Sequence, residues 1–483
     1  IMNYSVVIYI LGWIMEIEAA FLALPGIVSA IYGEKGGFAF LWVALGSAVA
    51  GSAIILRKPK NMRFYLREGF VTVALSWILM SVIGCLPFVI NGDIPHFADA
   101  LFEMISGFTT TGATVVSDVE GLTKGSLFWR SFSHWIGGMG VLVFLLAIVP
   151  MAGGSHMNLM KAESPGPSVG KLVPKVRQTA KYLYIIYFAL TMIEVIFLLF
   201  GGMNLFEALT TSFGTAGTGG FAIWNDGFVS VSPYNQWVVT IFMLLFGVNF
   251  GFYFLILTGK LRDALKFEEV RIYFIIVIAA AVFIFINLRH FALYAPAEGI
   301  RQAFFQVASI ITTTGFASAD FNLWPETSRT ILVLLMFIGA CAGSTGGGIK
   351  VSRFIIACKS FIKEIISYLH PRSVKKIKIE GKPLEHETLR ATNVYFMTYM
   401  VIFAVSVLLV SIENKDLVTN FAAVAATFNN IGPGLSLVGP MENFGHFTDF
   451  TKYILMFDML AGRLEIFPMM LLFCPAVWKR RRA

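Results

Sequence analysis

The sequence predicts an all-α polytopic membrane protein with four parallel, pseudo-symmetric repeats, each made of a span, a re-entrant loop and a second span. An additional two-helix hairpin precedes them at the N-terminus. The 483 residues are 57% hydrophobic and only 14% charged, whereas soluble domains carry about 25% charged residues. Apolar stretches of bilayer-crossing length recur along the chain, and four short polar segments between them align with one another. This composition excludes an ordinary soluble domain.

Ten apolar stretches are predicted to be spans, because most of them reach the roughly 20 residues that a helix needs to cross a bilayer. The first is expected to be a retained helix, since no cleavage site follows a short apolar core. The spans lie near residues 4–31, 38–56, 69–90, 126–151, 181–200, 236–258, 272–288, 329–362, 392–412 and 452–478.

Basic residues alternate along the connections between these spans. The positive-inside rule places the basic connections in the cytoplasm, and both termini with them. That arrangement needs an even number of spans, which ten satisfies. Because orientation explains the alternation, a nucleic-acid partner is not expected. The basic stretches are residues 57–67, 161–181, 260–271, 370–382 and 479–482.

Four short segments between spans align without gaps, and a glycine coincides in all of them. One such segment alone would be an ordinary polar turn, but four aligned copies between pairs of spans favour a shared function. The segments are DALFEMISGFTTTGAT (99–114), EALTTSFGTAGTGGFA (207–222), QAFFQVASIITTTGFA (302–317) and TNFAAVAATFNNIGPG (419–434).

The run before each glycine has about 12 residues, so its helix would be about 18 Å long and too short to cross. Each segment is therefore predicted to enter the membrane and turn back. Non-helical backbone persists at that depth only inside protein or beside water. Four such loops around one axis would direct backbone carbonyls at a central path, as in cation-selective filters. The predicted ion-binding residues, here called the filter segments, are Thr110, Thr111, Gly112, Thr218, Gly219, Gly220, Thr313, Thr314, Gly315, Asn430, Ile431 and Gly432.

A second glycine-rich stretch, GACAGSTGGGIK (339–350), interrupts an apolar segment much longer than one span. A phosphate-binding loop is excluded by spacing, because Ile349 separates the last glycine from Lys350. We predict a broken helix below the filter that acts as a gate, with a simple packing kink as the alternative. Lys350 either shares this role or only extends to the cytoplasmic interface. The candidate gate residues here are Gly343, Ser344, Thr345, Gly346, Gly347, Gly348 and Lys350.

Arg463 lies within the last predicted span, in DMLAGRLEIFP. Charges at membrane depth usually face the protein interior or water. Arg463 is therefore predicted to belong to the gate, where it would either repel cations or donate hydrogen bonds to loop carbonyls. The alternative is a structural ion pair with Asp458 or Glu465.

Two other polar residues near the first filter segment are assigned structural roles. Glu103 lies in the first short helix and is expected to buttress the filter. His134 has no neighbouring titratable residue in sequence, so a hydrogen-bonded packing role is favoured over a proton relay.

The chain resembles the Trk/Ktr/HKT superfamily of potassium transporters, and within it the bacterial TrkH type. The resemblance covers nearly the whole length and implies four membrane–pore–membrane repeats around a central ion pore. Its predicted domains are a hairpin at 1–56 and repeats at 57–160, 161–262, 263–370 and 371–483. Besides the filter segments, it rests on HWIGGMGVLVF (134–144), KAESPGP (161–167), CAGSTGGGIK (341–350), NNIGPGL (429–435) and GRLEIFP (462–468).

The resemblance also implies partners and a location. It implies potassium uptake across the bacterial cytoplasmic membrane by a homodimer, regulated by a cytosolic ring of the TrkA type. The sequence holds no nucleotide motif and no covalently bound cofactor is expected, so ATP, ADP, NAD or NADH would act only through that ring. Plant relatives with serine in place of the first glycine resemble sodium carriers, so Gly112 favours potassium. The sequence leaves open whether transport is channel-like or a symport.

A membrane-embedded hydrolase or acyltransferase is the competing interpretation. Such an enzyme needs a nucleophile with a base, or a metal cluster. The polar breaks contain neither GxSxG nor HExxH, and the seven histidines are scattered. The sequence therefore favours a transporter over an enzyme.

Overall fold

The computed structural model describes residues 2–60, 65–138, 140, 176–370 and 376–478. The ordered elements in these ranges are helices, apart from a short β-hairpin of Lys378–Ile379 (β1) and Lys382–Pro383 (β2). The helices are α1 Tyr4–Ile31, α2 Gly37–Ile55, α3 Leu66–Asn91, α4 Phe97–Phe108, α5 Lys124–Gly138, α6 Val176–Phe200, α7 Leu205–Gly217, α8 Pro233–Phe246, α9 Phe250–Leu257, α10 Leu261–Ala264, α11 Glu268–His290, α12 Pro296–Ile311, α13 Glu326–Met336, α14 Val351–Leu369, α15 His386–Val410, α16 Leu417–Phe428, α17 Asp449–Arg463, α18 Phe467–Leu472 and α19 Pro475–Trp478.

Six of the described helices are long and apolar enough to cross a membrane, namely α1, α2, α3, α6, α11 and α15. The helices α8 and α9 make a seventh span if counted together, but they meet at an angle of 89°. The chain is therefore a multi-pass membrane protein, as predicted. The C-terminal part of the span predicted at 126–151 and most of the basic connection 161–181 lie outside the described residues.

Two spans predicted to be continuous are broken in the structure. The stretch 236–258 bends between Phe246 and Phe250, and the stretch 452–478 ends its first helix at Arg463. Glu465 and Ile466 follow with φ values of 60° and 69°, which no helix accommodates. The break predicted in the 329–362 stretch is present, since α13 ends at Met336 and α14 begins at Val351.

The N-terminal hairpin packs closely because glycines face each other across it. A Cβ on Gly51 would lie 2.9 Å from the carbonyl oxygen of Gly12, so only glycine allows this approach. The described chain ends meet on one side of the molecule, where Tyr4 donates a hydrogen bond to the Trp478 carbonyl at 2.9 Å. We call this side the terminus face and the opposite side the filter face.

Four short helices begin near the filter face and end inside the protein: α4, α7, α12 and α16. They contain 12, 13, 16 and 12 residues, so each is shorter than a bilayer is thick. Local sequence sets where they begin: Asn204 and Glu207 form a capping box on α7, and Asp416 caps α16. The predicted domain limits stay a prediction, but each predicted repeat contains one of these short helices.

Candidate ion pathway and gate

Each filter segment has the same unusual backbone. The residue two before the shared glycine and the glycine itself both have left-handed φ, while the residue between them does not. Threonine rarely adopts positive φ, because its branched side chain crowds the carbonyl. Alternation of this kind lets successive carbonyls face a common axis. The φ values are 55° and 79° at Thr110 and Gly112, 54° and 83° at Thr218 and Gly220, 59° and 84° at Thr313 and Gly315, and 55° and 96° at Asn430 and Gly432.

The four segments form a closed ring. A Cβ built on each shared glycine would collide with the carbonyl oxygen of the residue before the glycine in the next segment. Real Cβ atoms do not approach other atoms this closely, so any side chain here would displace backbone. The distances are 2.0 Å from Gly112 to Gly219, 2.0 Å from Gly220 to Thr314, 1.9 Å from Gly315 to Ile431 and 2.7 Å from Gly432 to Thr111.

Hydrogen bonds between neighbouring repeats support this ring on the filter face. Each of the four contacts between neighbouring repeats includes at least one such hydrogen bond, so the repeats form a closed ring above the filter segments as well. They join Val119 N to Asn225 Oδ1 (2.7 Å), Phe228 N to the Ala317 carbonyl (2.8 Å), Ser436 N to Asn322 Oδ1 (3.0 Å) and Phe444 N to the Thr114 carbonyl (2.8 Å).

Glu103 buttresses the first filter segment, as the sequence predicts. Its carboxylate accepts hydrogen bonds from Thr114 Oγ1 at 2.9 Å and Val115 N at 3.0 Å. Arg130 pairs with the same carboxylate at 2.8 Å, and both side chains are buried. A buried carboxylate needs such partners, because an uncompensated charge in the interior costs several kcal/mol.

Side-chain hydroxyls support two of the segments directly. The hydroxyls of Thr109 and Thr111 lie 2.8 Å apart, and those of Thr312 and Thr314 lie 2.7 Å apart. Each pair links two residues that lie two positions apart in the same segment. The second and fourth segments have glycine and isoleucine where Thr111 and Thr314 stand.

The space on the two sides of the ring differs greatly. Above the filter glycines an open basin encloses about 120 Å³. Below them, the cavity between Gly137, Ser344 and Arg463 encloses about 20 Å³, which is room for about one water molecule. Among the described residues, the space below the ring is therefore much smaller than the space above it.

The glycine-rich loop (residues 339–350) fills that inner side. The Gly347 amide donates a hydrogen bond to Thr313 Oγ1 at 2.7 Å, directly below the third filter segment. A Cβ on Gly347 would lie 2.7 Å from Asn430 Cβ, below the fourth. Glycine is thus required for the loop to reach this depth.

The bend between α8 and α9 holds the loop from one side. The Cys341 amide donates to the Gly247 carbonyl at 3.0 Å, and the Phe250 amide donates to the Gly343 carbonyl at 3.0 Å. Asn249 caps the second half of the bend by accepting from Gly251 N at 2.8 Å. This bend was not predicted from the sequence, although Gly247 and Asn249 are a glycine and a capping residue within an apolar run.

Arg463 bridges the loop to the first repeat. It donates to the Thr345 carbonyl at 2.8 Å and to the Gly137 carbonyl at 2.7 Å. The geometry thus has the hydrogen bond to a loop carbonyl that was one of the predicted alternatives. Of the two carboxylates considered as its partners, Glu465 pairs with Arg353 and Asp458 accepts from Ser406 at 2.7 Å.

Lys350 points into the protein instead of extending to the membrane surface. Its side chain is only 1% exposed, and its ammonium donates to the carbonyls of Gly346 and Gly347. The predicted alternative of extension to the cytoplasmic interface is therefore wrong. Two cationic side chains, Lys350 and Arg463, bind loop carbonyls beneath the filter.

Glu269 is a contact residue of the loop that the sequence analysis missed. One oxygen of its carboxylate accepts from the Ala342 amide at 2.7 Å and from the Ser352 amide at 2.9 Å, so it joins the two ends of the loop. The preceding residue, Glu268, pairs with Lys359 at 2.6 Å. The sequence signal for this contact was the acidic pair Glu268 and Glu269, which stands at the start of a span within an otherwise basic connection.

Comparison with known proteins identifies the family. Residues 38–480 match the TrkH family, which is described as a cation transport protein.

The chain belongs to the TrkH family. It is 36% identical over 99% of its length to the whole of the Trk system potassium uptake protein TrkH of Escherichia coli K12. It is 31% identical, over 99% of each chain, to the Trk system potassium uptake protein TrkG of the same strain. The crystal structure of the potassium transporter TrkH from Vibrio parahaemolyticus superimposes with a TM-score of 0.88 at 32% identity, covering 99% of this chain and 100% of that one.

TrkH membership decides between the two classes of function considered from sequence. The family is one of transport proteins, so the interpretation as a membrane-embedded enzyme is wrong. The structural match over the whole chain also confirms the predicted fold class of four parallel repeats with an N-terminal hairpin.

Proposed function

We propose that this TrkH-family chain carries potassium into the cell across the bacterial cytoplasmic membrane, with both termini in the cytoplasm. The observation that carries the proposal is the closed ring in which each filter glycine faces a carbonyl of the next segment. Relatives of similar length are potassium uptake proteins, which supports potassium as the transported ion.

Selectivity follows from the backbone of the ring. Carbonyl oxygens replace the water shell of the entering ion, and glycine keeps the path free of side chains. The four short helices end beside the filter segments, so their negative C-terminal ends favour a cation there. The membrane potential supplies about 2.3 kcal/mol per charge per 100 mV for inward movement. Each segment has one shared glycine instead of the potassium-channel signature TVGYG, so we expect looser discrimination against sodium.

Gating follows from the loop and the two cations below it. The loop occupies the inner side of the ring, and Lys350 and Arg463 add positive charge where a potassium ion would leave the filter. Opening requires the Arg463 bond to the Thr345 carbonyl and the Gly347 bond to Thr313 to break. Arg463 thus acts both as a latch on the loop and as an electrostatic barrier.

Regulation is proposed to reach the gate from a partner. We propose a homodimer that binds a cytosolic TrkA-type ring, which carries the nucleotide. The β-hairpin at Lys378–Pro383 is a suitable docking element, because Lys359 binds both its Lys378 carbonyl at 2.7 Å and Glu268 at 2.6 Å. Glu268 adjoins Glu269, which holds the loop. Charge reversal at Lys376 and Lys378 is expected to abolish co-purification with the ring, and unchanged co-purification would exclude this surface.

The function is tested by uptake of 86Rb into proteoliposomes that contain this chain alone, with and without a potassium gradient. Wild type is compared with Gly112→Ser, Gly315→Ser and Arg463→Ala. We expect gradient-driven uptake that loses potassium selectivity in the glycine variants and rises in the arginine variant. Strong uptake with unchanged selectivity in both glycine variants would exclude the carbonyl ring as the filter.

A further inference from the structure

His134 lies between the first short helix and the second filter segment and is fully buried. Its Nδ1 lies 2.7 Å from the Gly107 carbonyl oxygen, and its Nε2 lies 3.2 Å from the Phe221 amide nitrogen. A carbonyl only accepts and an amide only donates, so Nδ1 carries the hydrogen and Nε2 is the acceptor. Phe221 directly follows the filter glycine Gly220.

The imidazole occupies the volume that a filter side chain takes elsewhere. The residue before the shared glycine is threonine, threonine and isoleucine in three segments, but it is Gly219 in the second. A Cβ on Gly219 would lie 2.1 Å from His134 Cγ and 2.3 Å from its Nδ1. Because the second segment has glycine at this position, the imidazole of His134 fits there without a steric clash.

His134 also explains why the second segment has no pair of threonine hydroxyls. In the first and third segments, two threonines two positions apart bind each other through their hydroxyls. The second segment has Gly217 and Gly219 at those two positions. A Cβ on Gly217 would lie 2.2 Å from the His134 carbonyl oxygen, so the backbone of His134 excludes one side chain and its ring excludes the other.

Phe221 is held on three sides at this position. Its amide donates to His134 Nε2, its ring centroid lies 4.3 Å from that of His134, and Arg130 lies 4.2 Å above its ring. The carbonyl of Gly219, two residues earlier, packs directly against Gly112 of the neighbouring first segment. Displacement of Phe221 would therefore move a carbonyl that contacts the ion path.

We infer that His134 is a specificity-determining positioning residue: its Nε2 holds the second filter segment at the spacing that favours potassium over sodium. This inference rests on the proposed potassium function and deepens it. A carbonyl released from this support can close around the smaller ion. The effect reaches the ion through Phe221 and Gly219, since His134 itself faces away from the path.

The first experiment compares His134→Gln with His134→Asn in the proteoliposome assay, using competition of 86Rb uptake by K⁺ and by Na⁺. The glutamine amide reaches the position of Nε2 and accepts from Phe221, whereas asparagine reaches only the position of Nδ1. We expect glutamine to retain the wild-type ratio of K⁺ to Na⁺ competition. Asparagine is expected to lower this ratio by about fivefold, which corresponds to one lost hydrogen bond of about 1 kcal/mol.

The second experiment tests the steric exchange between His134 and Gly219. Gly219→Ala alone is expected to abolish uptake, because its Cβ meets the imidazole. Gly219→Ala with His134→Ala is expected to recover uptake but not selectivity, because space is restored and the hydrogen bond is not. Gly112→Ala is the matched control: its Cβ meets a backbone carbonyl, so His134→Ala cannot rescue it.

The outcomes separate this inference from the proposed function. Equal ratios in the asparagine and glutamine variants, or full selectivity in the double variant, would overturn the role of His134 while wild-type uptake still supports potassium transport. Unchanged selectivity in Gly112→Ser as well would overturn the filter itself. Both polar variants keep a buried hydrogen-bonding group, so the comparison remains decisive if His134→Ala fails to fold.

Discussion

The filter ring and the glycine-rich loop are both irregular backbone at membrane depth, yet they are held in opposite ways. The ring is fixed by glycine–carbonyl packing that is repeated in all four segments, and by buried threonine hydroxyl pairs in the first and third. The loop is held by three charged side chains: Arg463 and Glu269 from other helices, and Lys350 at the end of the loop itself. No other contact can replace the close packing of glycine against backbone. A charged side chain that leaves the loop can instead form hydrogen bonds with water or with other groups. The difference agrees with the proposed roles of a fixed filter and a movable gate.

The largest expected effect comes from adding a side chain to the ring. Gly220→Ala places a Cβ 2.0 Å from the Thr314 carbonyl oxygen and forces alanine to a φ near 83°. We expect selective uptake to be abolished, because the displaced carbonyl belongs to the ring. 86Rb uptake measures this, with Gly202→Ala as a control that shares the positive φ, 86°, but has open space around it. Selective uptake in Gly220→Ala would show that the ring tolerates displacement.

The next largest effect is expected from the latch on the loop. Arg463→Gln removes a charged donor from the Thr345 and Gly137 carbonyls. Hydrogen bonds to charged groups contribute about 1.5–3 kcal/mol each. We expect 86Rb uptake by the chain without its partner to rise about tenfold or more. Arg463→Lys retains the charge, so its 86Rb uptake should rise less. An unchanged rate of uptake in Arg463→Gln would show that Arg463 is not part of the gate.

A smaller effect is expected at the two ends of the loop. Glu269→Ala leaves the amides of Ala342 and Ser352 without their shared acceptor. Hydrogen bonds to a charged group are worth about 1.5–3 kcal/mol each. Glu269 joins the loop to a helix of its own predicted repeat and not to the first repeat, so we expect uptake without the partner to rise only about fivefold. Glu268→Ala is the matched control, since the neighbouring carboxylate binds Lys359 and not the loop. Equal rates in the two variants would assign Glu269 to general stability only.

The smallest effect is expected at the cap of α16, on the filter face. Thr419 donates to the Asp416 carboxylate through its amide and hydroxyl, and these bonds hold the pKa of Asp416 below its ordinary value. A lowered pKa in the folded state means that this stabilisation is complete above the ordinary carboxyl pKa and is lost as the pH falls through the folded-state value. Asp416→Ala should lower the free energy of unfolding by about 1 kcal/mol at neutral pH.

Thermal unfolding in detergent at several pH values measures the contribution of this cap. Asp416→Asn is the control, because asparagine caps helices as well as aspartate but does not titrate there. We expect Asp416→Asn to be as stable as wild type at neutral pH. In acid, its stability should decrease less than that of wild type. If wild type and Asp416→Asn lose stability equally in acid, other groups govern the acid response.

Sequence alone was sufficient to predict the four repeated segments, because their signals are local and occur four times. The shared glycines at 112, 220, 315 and 432 align by inspection, and the structure gives all four positive φ. The loop at 339–350 was recognisable because its glycines cannot continue a helix. Arg463 was recognisable because a charge within an apolar run needs a polar partner.

The missed features depend on contacts between distant parts of the chain. The bend at Gly247 places its carbonyl against the Cys341 amide of the next repeat, a contact that no pattern within residues 236–258 encodes. Glu269 lies 73 residues from Ala342 and 83 from Ser352 in sequence. The pairing of Glu465 with Arg353 spans 112 residues. The sequence around a single carboxylate or glycine does not indicate which distant residue it contacts. Only the folded structure could identify these three contacts.

Ring closure also has a consequence for biosynthesis. The last junction joins Asn430 to Thr111, residues 319 positions apart, through a hydrogen bond of 3.0 Å. A ribosome therefore releases the first filter segment long before the segment that completes the circle. During that interval, Thr110 has no closed ring to hold its left-handed conformation, and an incomplete chain has no assembled path for ions. Under the proposed function, the ion path is complete only once the fourth repeat has been inserted, so unfinished copies would leave the membrane sealed.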